Sequence, residues 1–211
     1  FKFVYMQCRV SIIDYGMGNL NSVLKSFKHT NNSVSVTSNW RELEKSDKII
    51  LVGVGHFAKA MHNLNELCMV DVLNELVIEK SRPILGICLG MQLMCNKSDE
   101  GCEKGFGWID ANVEKIEVKD KIKYKVPHVG WNQVNIVKDS LLMNGINELE
   151  KFYFSHSYCI NKSNDDVILN TTKYSSKFIS AIEDKNIFGV QYHPEKSHDA
   201  GSILLSNFIN L

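Results

Sequence analysis

The chain is expected to fold as an α/β domain: a mostly parallel open sheet with helices on both faces, flavodoxin-like, to which antiparallel strands are appended. Three observations lead there. Short, continuously apolar runs, VSIID (10–14), VSV (34–36), KIILVGVG (48–55) and ILGI (84–87), alternate with amphipathic segments, as strands buried on both faces by crossover helices do. The first amphipathic segment, after the turn residues Gly16 and Gly18, carries Leu20, Val23, Leu24 and Phe27 at helical spacing, and a later one carries Val70, Leu73 and Val77 on one helical face. Beyond residue 107 the rhythm shifts to shorter alternating runs, NVEKIEV, WNQVNIV, FYFSHSYCI, DVILNTT and FISAIE, which read as antiparallel strands before a closing helix, SILLSNFI (202–209).

With 211 residues, 44% of them hydrophobic, and no repeat or flexible linker, the chain reads as a single domain spanning 1–211. Its 24 basic and 24 acidic residues cancel, so no overall field draws it to nucleic acid or to an anionic membrane, and a small ligand fits better. The most basic stretch, KIEVKDKIKYKV (115–126), alternates charged with apolar residues and is expected to be a half-solvated strand. No apolar run approaches the roughly 20 residues of a membrane helix, and the N-terminus lacks a secretory pattern; a soluble, cytoplasmic protein is expected. Phe1 stands where an initiator methionine would, so residues 1–8 read as an extension or expression remnant. The six cysteines form no C-x-x-C pair and read as reduced thiols.

The chemistry concentrates at Gly86-Ile87-Cys88-Leu89-Gly90, where an apolar strand pattern gives way to a helical one. A nucleophile elbow puts its reactive residue on a strained strand-to-helix turn, with glycines two residues to either side so that strand and helix can approach. A thiol at a helix N-terminus is favoured as thiolate, and the Leu89 N–H would face a developing oxyanion. A small buried hydrophobe is the alternative, and what decides is whether a base exists. GVQYHPEKS (189–197) supplies a candidate: His193 precedes a proline and is biased to extended backbone, so Glu195, two residues on, projects to the same side and can orient the imidazole. The set Cys88, His193 and Glu195 then has nucleophile, base and orienting group. The same three residue types could ligate a metal, but no fourth ligand is spaced to join them, so no metal and no cofactor is expected.

GICLGMQ and GVQYHPEKS in this order resemble the class I (triad-type) glutamine amidotransferases. DYGMGN (14–19), GVGHF (53–57), GFGWI (105–109), VPHVGWN (126–132) and FYFSHSY (152–158) extend the likeness to the glutaminase subunits of imidazole glycerol phosphate synthases, from Val10 to the end of the chain. The resemblance implies that Cys88 attacks the side-chain amide of glutamine, that His193 relays the proton, and that Glu195 fixes the tautomer. It implies an oxyanion hole from Leu89 and the Gly53-Val54 segment, and a glutamine subsite from Gln92, one helical turn beyond Cys88, with Glu100, His156, Ser157 and Tyr158. Cys95 falls on the same helical face as Cys88 and is explained by packing. Such subunits pass ammonia to a (β/α)₈-barrel cyclase in histidine biosynthesis, and the docking face would include Asn19, Trp131 and Tyr153. Val52 stands where the family usually has proline, which restores an N–H and frees φ at the oxyanion strand. Two alternatives stay open: a different ammonia acceptor, such as a sugar-modifying amidotransferase, and an inactive regulatory subunit.

Overall fold

A strand in the middle of an α/β sheet must be apolar on both faces, and β3 (Lys48–Gly53) shows how this chain meets the requirement. In the computed structural model, which describes residues 8–28 and 32–211, Ile50 and Val52 point to one core and Ile49 and Leu51 to the other. The segment read as an N-terminal extension lies outside the described residues except for Cys8. The parallel half of the sheet is completed by β1 (Arg9–Ile13), β2 (Ser33–Thr37) and β4 (Ile84–Cys88). Helices α1 (Leu20–Ser26), α2 (Trp40–Leu43), α3 (Phe57–Glu66), α4 (Met69–Asn74) and α5 (Leu89–Leu93) interleave with these strands, and α6 (His198–Asn210) closes the chain. Val23 of α1 and Leu204, Leu205 and Phe208 of α6 share the core of Ile50 and Val52. Met61, Leu64, Met69, Leu73, Leu89 and Leu93 share that of Ile49 and Leu51.

The later strands are β5 (Cys95–Ser98), β6 (Glu103–Lys104), β7 (Ile109–Lys115), β8 (His128–Gln133), β9 (Asn135–Ile136), β10 (Lys151–His156), β11 (Tyr158–Ile160), β12 (Ile168–Tyr174), β13 (Ser176–Asp184) and β14 (Ile187–Val190). The main sheet runs β2-β1-β3-β4-β14-β13-β11-β7-β5-β6, with β12 branching from β13 and β9 pairing with β12, while β8 and β10 form a separate antiparallel ribbon. The open, mostly parallel core with antiparallel additions is the expected architecture.

Three local expectations are corrected. First, β14 is absent from the strands the sequence pattern suggests, yet it pairs parallel with β4 on one side and antiparallel with β13 on the other, in register Gly189↔Gly86. Second, residues 116–126 form no strand. β7 stops at Lys115, and the Asp120 carboxylate accepts the backbone N–H groups of Ile122 and Lys123, folding the chain into a turn that leaves Ile122 92% exposed. Third, α5 has only five residues, and Cys95 opens β5 instead of continuing the helix. The carbonyls of Leu93, Met94 and Cys95, which a longer helix would offer to its own next turn, accept the N–H groups of Phe106, Ile109 and Gly107 from the returning chain.

Lys48 ties β3 to the closing helix. Its buried ammonium donates to the Phe208 carbonyl at 3.0 Å and the Ile209 carbonyl at 2.6 Å, the free acceptors at the C-terminal end of α6. Lys48→Met keeps the apolar stem and removes the donor, so two buried carbonyls lose their partner. We expect the unfolding free energy, measured by urea denaturation, to drop by about 1–3 kcal/mol.

Candidate active site

Cys88 ends β4 and immediately precedes α5, and its backbone is at φ 54°, ψ −108°, a conformation side-chain-bearing residues rarely adopt. The neighbouring residues make that turn feasible. A Cβ at Gly90 would overlap the Leu51 carbonyl oxygen, and a Cβ at Gly86 would lie 2.7 Å from the Met91 nitrogen, so only glycines let α5 fold back this closely over β3 and β4. Parallel pairing places Gly53 directly opposite Cys88. The segment expected to form an oxyanion hole therefore lies beside the sulfur, with Val54 40% exposed at the pocket wall. Leu89 is the first residue of α5, where helix geometry leaves N–H groups without intrahelical partners. A helix of five residues has only a weak dipole, so the helix field at the thiol is smaller than the sequence pattern implies. Beneath Gly53 the buried Tyr15 hydroxyl has no hydrogen-bond partner among the described residues.

His193 arrives on the segment that follows β14, next to β4 in the sheet. Its Nδ1 lies 2.8 Å from the Glu195 carboxylate, and both side chains are 1% exposed. The geometry departs from the extended dipeptide expected: His193 is extended, but Pro194–Lys196 form a 3₁₀ turn that swings Glu195 back beneath the ring. The backbone is pinned to β10, since His193 N donates to the Tyr153 carbonyl at 2.8 Å. The Ser197 hydroxyl donates to the His193 carbonyl at 2.6 Å and accepts the Tyr153 N–H at 3.0 Å. With Nδ1 donating to Glu195, Nε2 is left for the Cys88 sulfur. Burial alone would lower the His193 pKa, but hydrogen bonds and charge from Cys88 and Glu195 outweigh it and hold the ring above the usual histidine range. A thiol on a strained turn beside a carboxylate-oriented imidazole is a geometry capable of nucleophilic acyl transfer.

Around these groups lies a cleft of about 250 Å³ lined by Val54, Gly55, Cys88, Leu89, Gln92, Glu100, Pro127, Ser155, His156, Ser157, Tyr158, His193 and Lys196. Every substrate-contact residue expected from the sequence is thus in one pocket. Gln92 Nε2 donates to the Tyr158 carbonyl (3.0 Å) and to the Gln191 Oε1 (2.9 Å), leaving its own Oε1 as the atom free to meet a ligand donor. The Glu100 carboxylate also accepts the Phe57 N–H at 2.8 Å, at the start of α3. Asn19, Trp131 and Tyr153 do not line the cleft. Asn19 accepts the Ser22 N–H and caps α1. Trp131 and Tyr153 are cross-strand neighbours on the β8–β10 ribbon, with Trp131 45% exposed and stacked on His198.

Sequence reasoning missed two buried residues. Gln191 has the same strand parity as His193 and Glu195, which was the available signal; its Nε2 lies 3.5 Å from the Cys88 sulfur. His128, within VPHVGWN, pairs its Nδ1 with His156 Nε2 at 3.0 Å, and His156 Nδ1 faces the Tyr158 carbonyl at 2.8 Å. That carbonyl can only accept, so His156 carries its proton on Nδ1 and His128 donates from its own Nδ1. Burial keeps both rings neutral, lowering the pKa of His128 to about 4 and that of His156 to about 3. Among the described residues no cluster of three potential metal ligands occurs, and no helix is long and apolar enough to cross a membrane.

An elbow thiol, a buried His–Glu pair and a flavodoxin-like sheet define a class, and comparison with known proteins agrees: the family described as "Glutamine amidotransferase class-I" matches residues 11–211, and the chain belongs to that family. Within it the chain is similar to the imidazole glycerol phosphate synthase subunit HisH 2 of Pseudomonas aeruginosa, with 42% identity over 96% of this chain and 99% of that one. HisH 2 of Methanococcus maripaludis is 43% identical, over 95% and 98%. Solved structures share the fold at low identity. The crystal structure of a glutamine amidotransferase superposes with TM-score 0.74 at 14% identity, covering 96% of this chain and 99% of that one. A chain of the PurLQS structure from Thermotoga maritima gives 0.71 at 16%, covering 97% and 99%.

The neutral histidine pair makes stability depend on acid. Above pH 6.5 both rings are uncharged in folded and unfolded chains alike, and they contribute no penalty. As pH falls from 6.5 towards 4, the unfolded chain takes up protons that the folded one refuses, so stability is lost across that window. We expect the urea midpoint to decline through it, and the decline to be shallower in His128→Gln than in the unsubstituted protein.

Proposed function

We propose that this chain is the glutamine-hydrolysing subunit of an imidazole glycerol phosphate synthase, and that Cys88, His193 and Glu195 are its catalytic triad. The observation that carries the reading is that Cys88 and His193 line one cleft, with Glu195 buried behind the ring against its Nδ1, although His193 lies far along the chain on the segment after β14. Similarity to HisH proteins over nearly the whole length supports the particular reaction.

In this reading the Cys88 sulfur attacks the side-chain amide carbon of glutamine. The oxyanion that forms is met by the Leu89 N–H and by an N–H of the Gly53-Val54 segment, which the Gly53↔Cys88 register holds alongside. His193, protonated and paired with Glu195, gives its Nε2 proton to the departing nitrogen, releasing ammonia and leaving a γ-glutamyl thioester on Cys88. The now neutral imidazole takes a proton from water, hydroxide adds to the thioester carbon, and glutamate leaves as the sulfur recovers its electron pair. Gln92, Glu100, His156, Ser157 and Tyr158 hold the amino-acid end of the substrate, Gln92 by its free carbonyl oxygen. The ammonia is passed to a cyclase partner, with Asn19, Trp131 and Tyr153 on the docking face and the cytoplasm as the setting. Exposed aromatics such as Trp131 are typical anchors of such contacts.

The test is a glutaminase assay on the purified chain, alone and mixed with a cyclase partner and its nucleotide ligand. Turnover should rise in the mixture, Cys88→Ala should abolish it, and His193→Asn should lower kcat by about 10² to 10⁴. Glutamate release at the normal rate from Cys88→Ala would remove Cys88 from its role. Turnover that responds only to a sugar-modifying partner would change the acceptor while keeping the chemistry.

A further inference from the structure

We propose that Gln191 is a positioning residue for the reaction: its side-chain amide donates a hydrogen bond to the Cys88 sulfur and, through Gln92, links that sulfur to the floor of the substrate cleft. The inference rests on Cys88 being the nucleophile.

The orientation of the two amides is fixed by elimination. The Tyr158 carbonyl can only accept, so Gln92 must turn Nε2 towards it. The same Nε2 lies 2.9 Å from Gln191, which therefore has to present Oε1, and this leaves Gln191 Nε2 facing the sulfur at 3.5 Å. Gln191 is fully buried, and its backbone N–H is bonded to the Ser180 carbonyl of β13 at 2.9 Å, so the side chain is anchored at both ends. For the thiol proton the Ser155 carbonyl stands as acceptor, at 3.9 Å. The sulfur thus has an acceptor partner for its S–H form and a donor partner, Gln191, for its anionic form. An N–H aimed at sulfur favours the anion.

The donor matters because α5 is too short to supply a strong field, so the charge on sulfur is met by individual N–H groups held in place beforehand. Gln191 also connects binding to chemistry. A ligand that engages the Gln92 carbonyl fixes the Gln92 amide, which fixes Gln191 and hence the direction of the N–H on sulfur. A carboxylate at position 191 could still accept from Gln92 but would face the sulfur with a second acceptor oxygen, and a thioether would do neither.

The experiment compares Gln191→Met and Gln191→Glu with the unsubstituted chain. Alkylation of Cys88 by iodoacetamide is followed across pH, with peptide-resolved mass spectrometry separating Cys88 from the exposed Cys68 and Cys102. Glutaminase kcat and KM are measured on the same samples in the presence of the cyclase partner. We expect the midpoint of Cys88 alkylation to move to higher pH by about one unit in Gln191→Met and further in Gln191→Glu, with kcat at neutral pH down about tenfold or more. An unchanged midpoint with only KM raised would overturn the inference, because Gln191 would then merely prop Gln92. Should Gln191→Met lose its cooperative thermal transition, Gln191→Glu, the closer match in shape, decides alone. Cys88→Ala separates the two levels of the argument. If it still hydrolyses glutamine, the nucleophile reading fails; if it is inactive while both Gln191 variants keep the normal alkylation profile, only the role of Gln191 fails.

Discussion

The site depends on one backbone-to-backbone contact, the approach of α5 to β3 at Gly90, where no side chain separates the helix from the Leu51 carbonyl. Because α5 can lie that close, the turn before it is forced tight and Cys88 takes up a backbone conformation costing on the order of 1–3 kcal/mol. The same closeness sets the first residue of α5 beside Gly53, so groups from two adjacent strands face one small volume. Burial offsets the strain. Ile84, Leu85, Ile87, Leu89 and Leu93 are almost completely removed from water, and each such side chain contributes roughly 1.5–3 kcal/mol.

Three buried histidines near this turn show how partners, more than burial, decide charge. His156 and His128 face a carbonyl and each other, and nothing repays the desolvation of a cation, so they stay neutral. His193 is equally hidden, but the Glu195 carboxylate sits on its Nδ1 and Cys88 close by adds to the pull, and the balance reverses. The cleft therefore contains one ring whose partners favour its charged form and one that burial holds neutral. The Tyr158 carbonyl accepts from both His156 and Gln92, so the neutral ring and the amide chain leading to sulfur share one atom.

Much of this was legible because steric demands leave marks in sequence. Glycines two residues to either side of a cysteine are required by the close approach of strand and helix, and a proline after His193 narrows its backbone. Features that depend on pairing partners were not legible. β14 is four residues long and contains a glycine, so nothing within it distinguishes a central strand from a loop; its identity comes from β4 and β13. The alternation of residues 115–126 imitated a strand, but Asp120 captures local N–H groups and turns the chain before any neighbour can pair with it. The helical pattern after Cys88 ran too long because the carbonyls that end α5 are claimed by residues distant in sequence. Gln191 and His128 are ordinary polar residues whose significance lies in which atoms they meet.

The place of β14 has a consequence for how the molecule is made. It joins the parallel half of the sheet to the antiparallel half, yet it leaves the ribosome after every strand it joins. Until then β4 has an open edge, and closing it requires contacts of large sequence separation, the slow kind. A nascent chain therefore carries Cys88 without His193 while the hundred or so residues between them are made, and the two meet only when β14 takes its place beside β4.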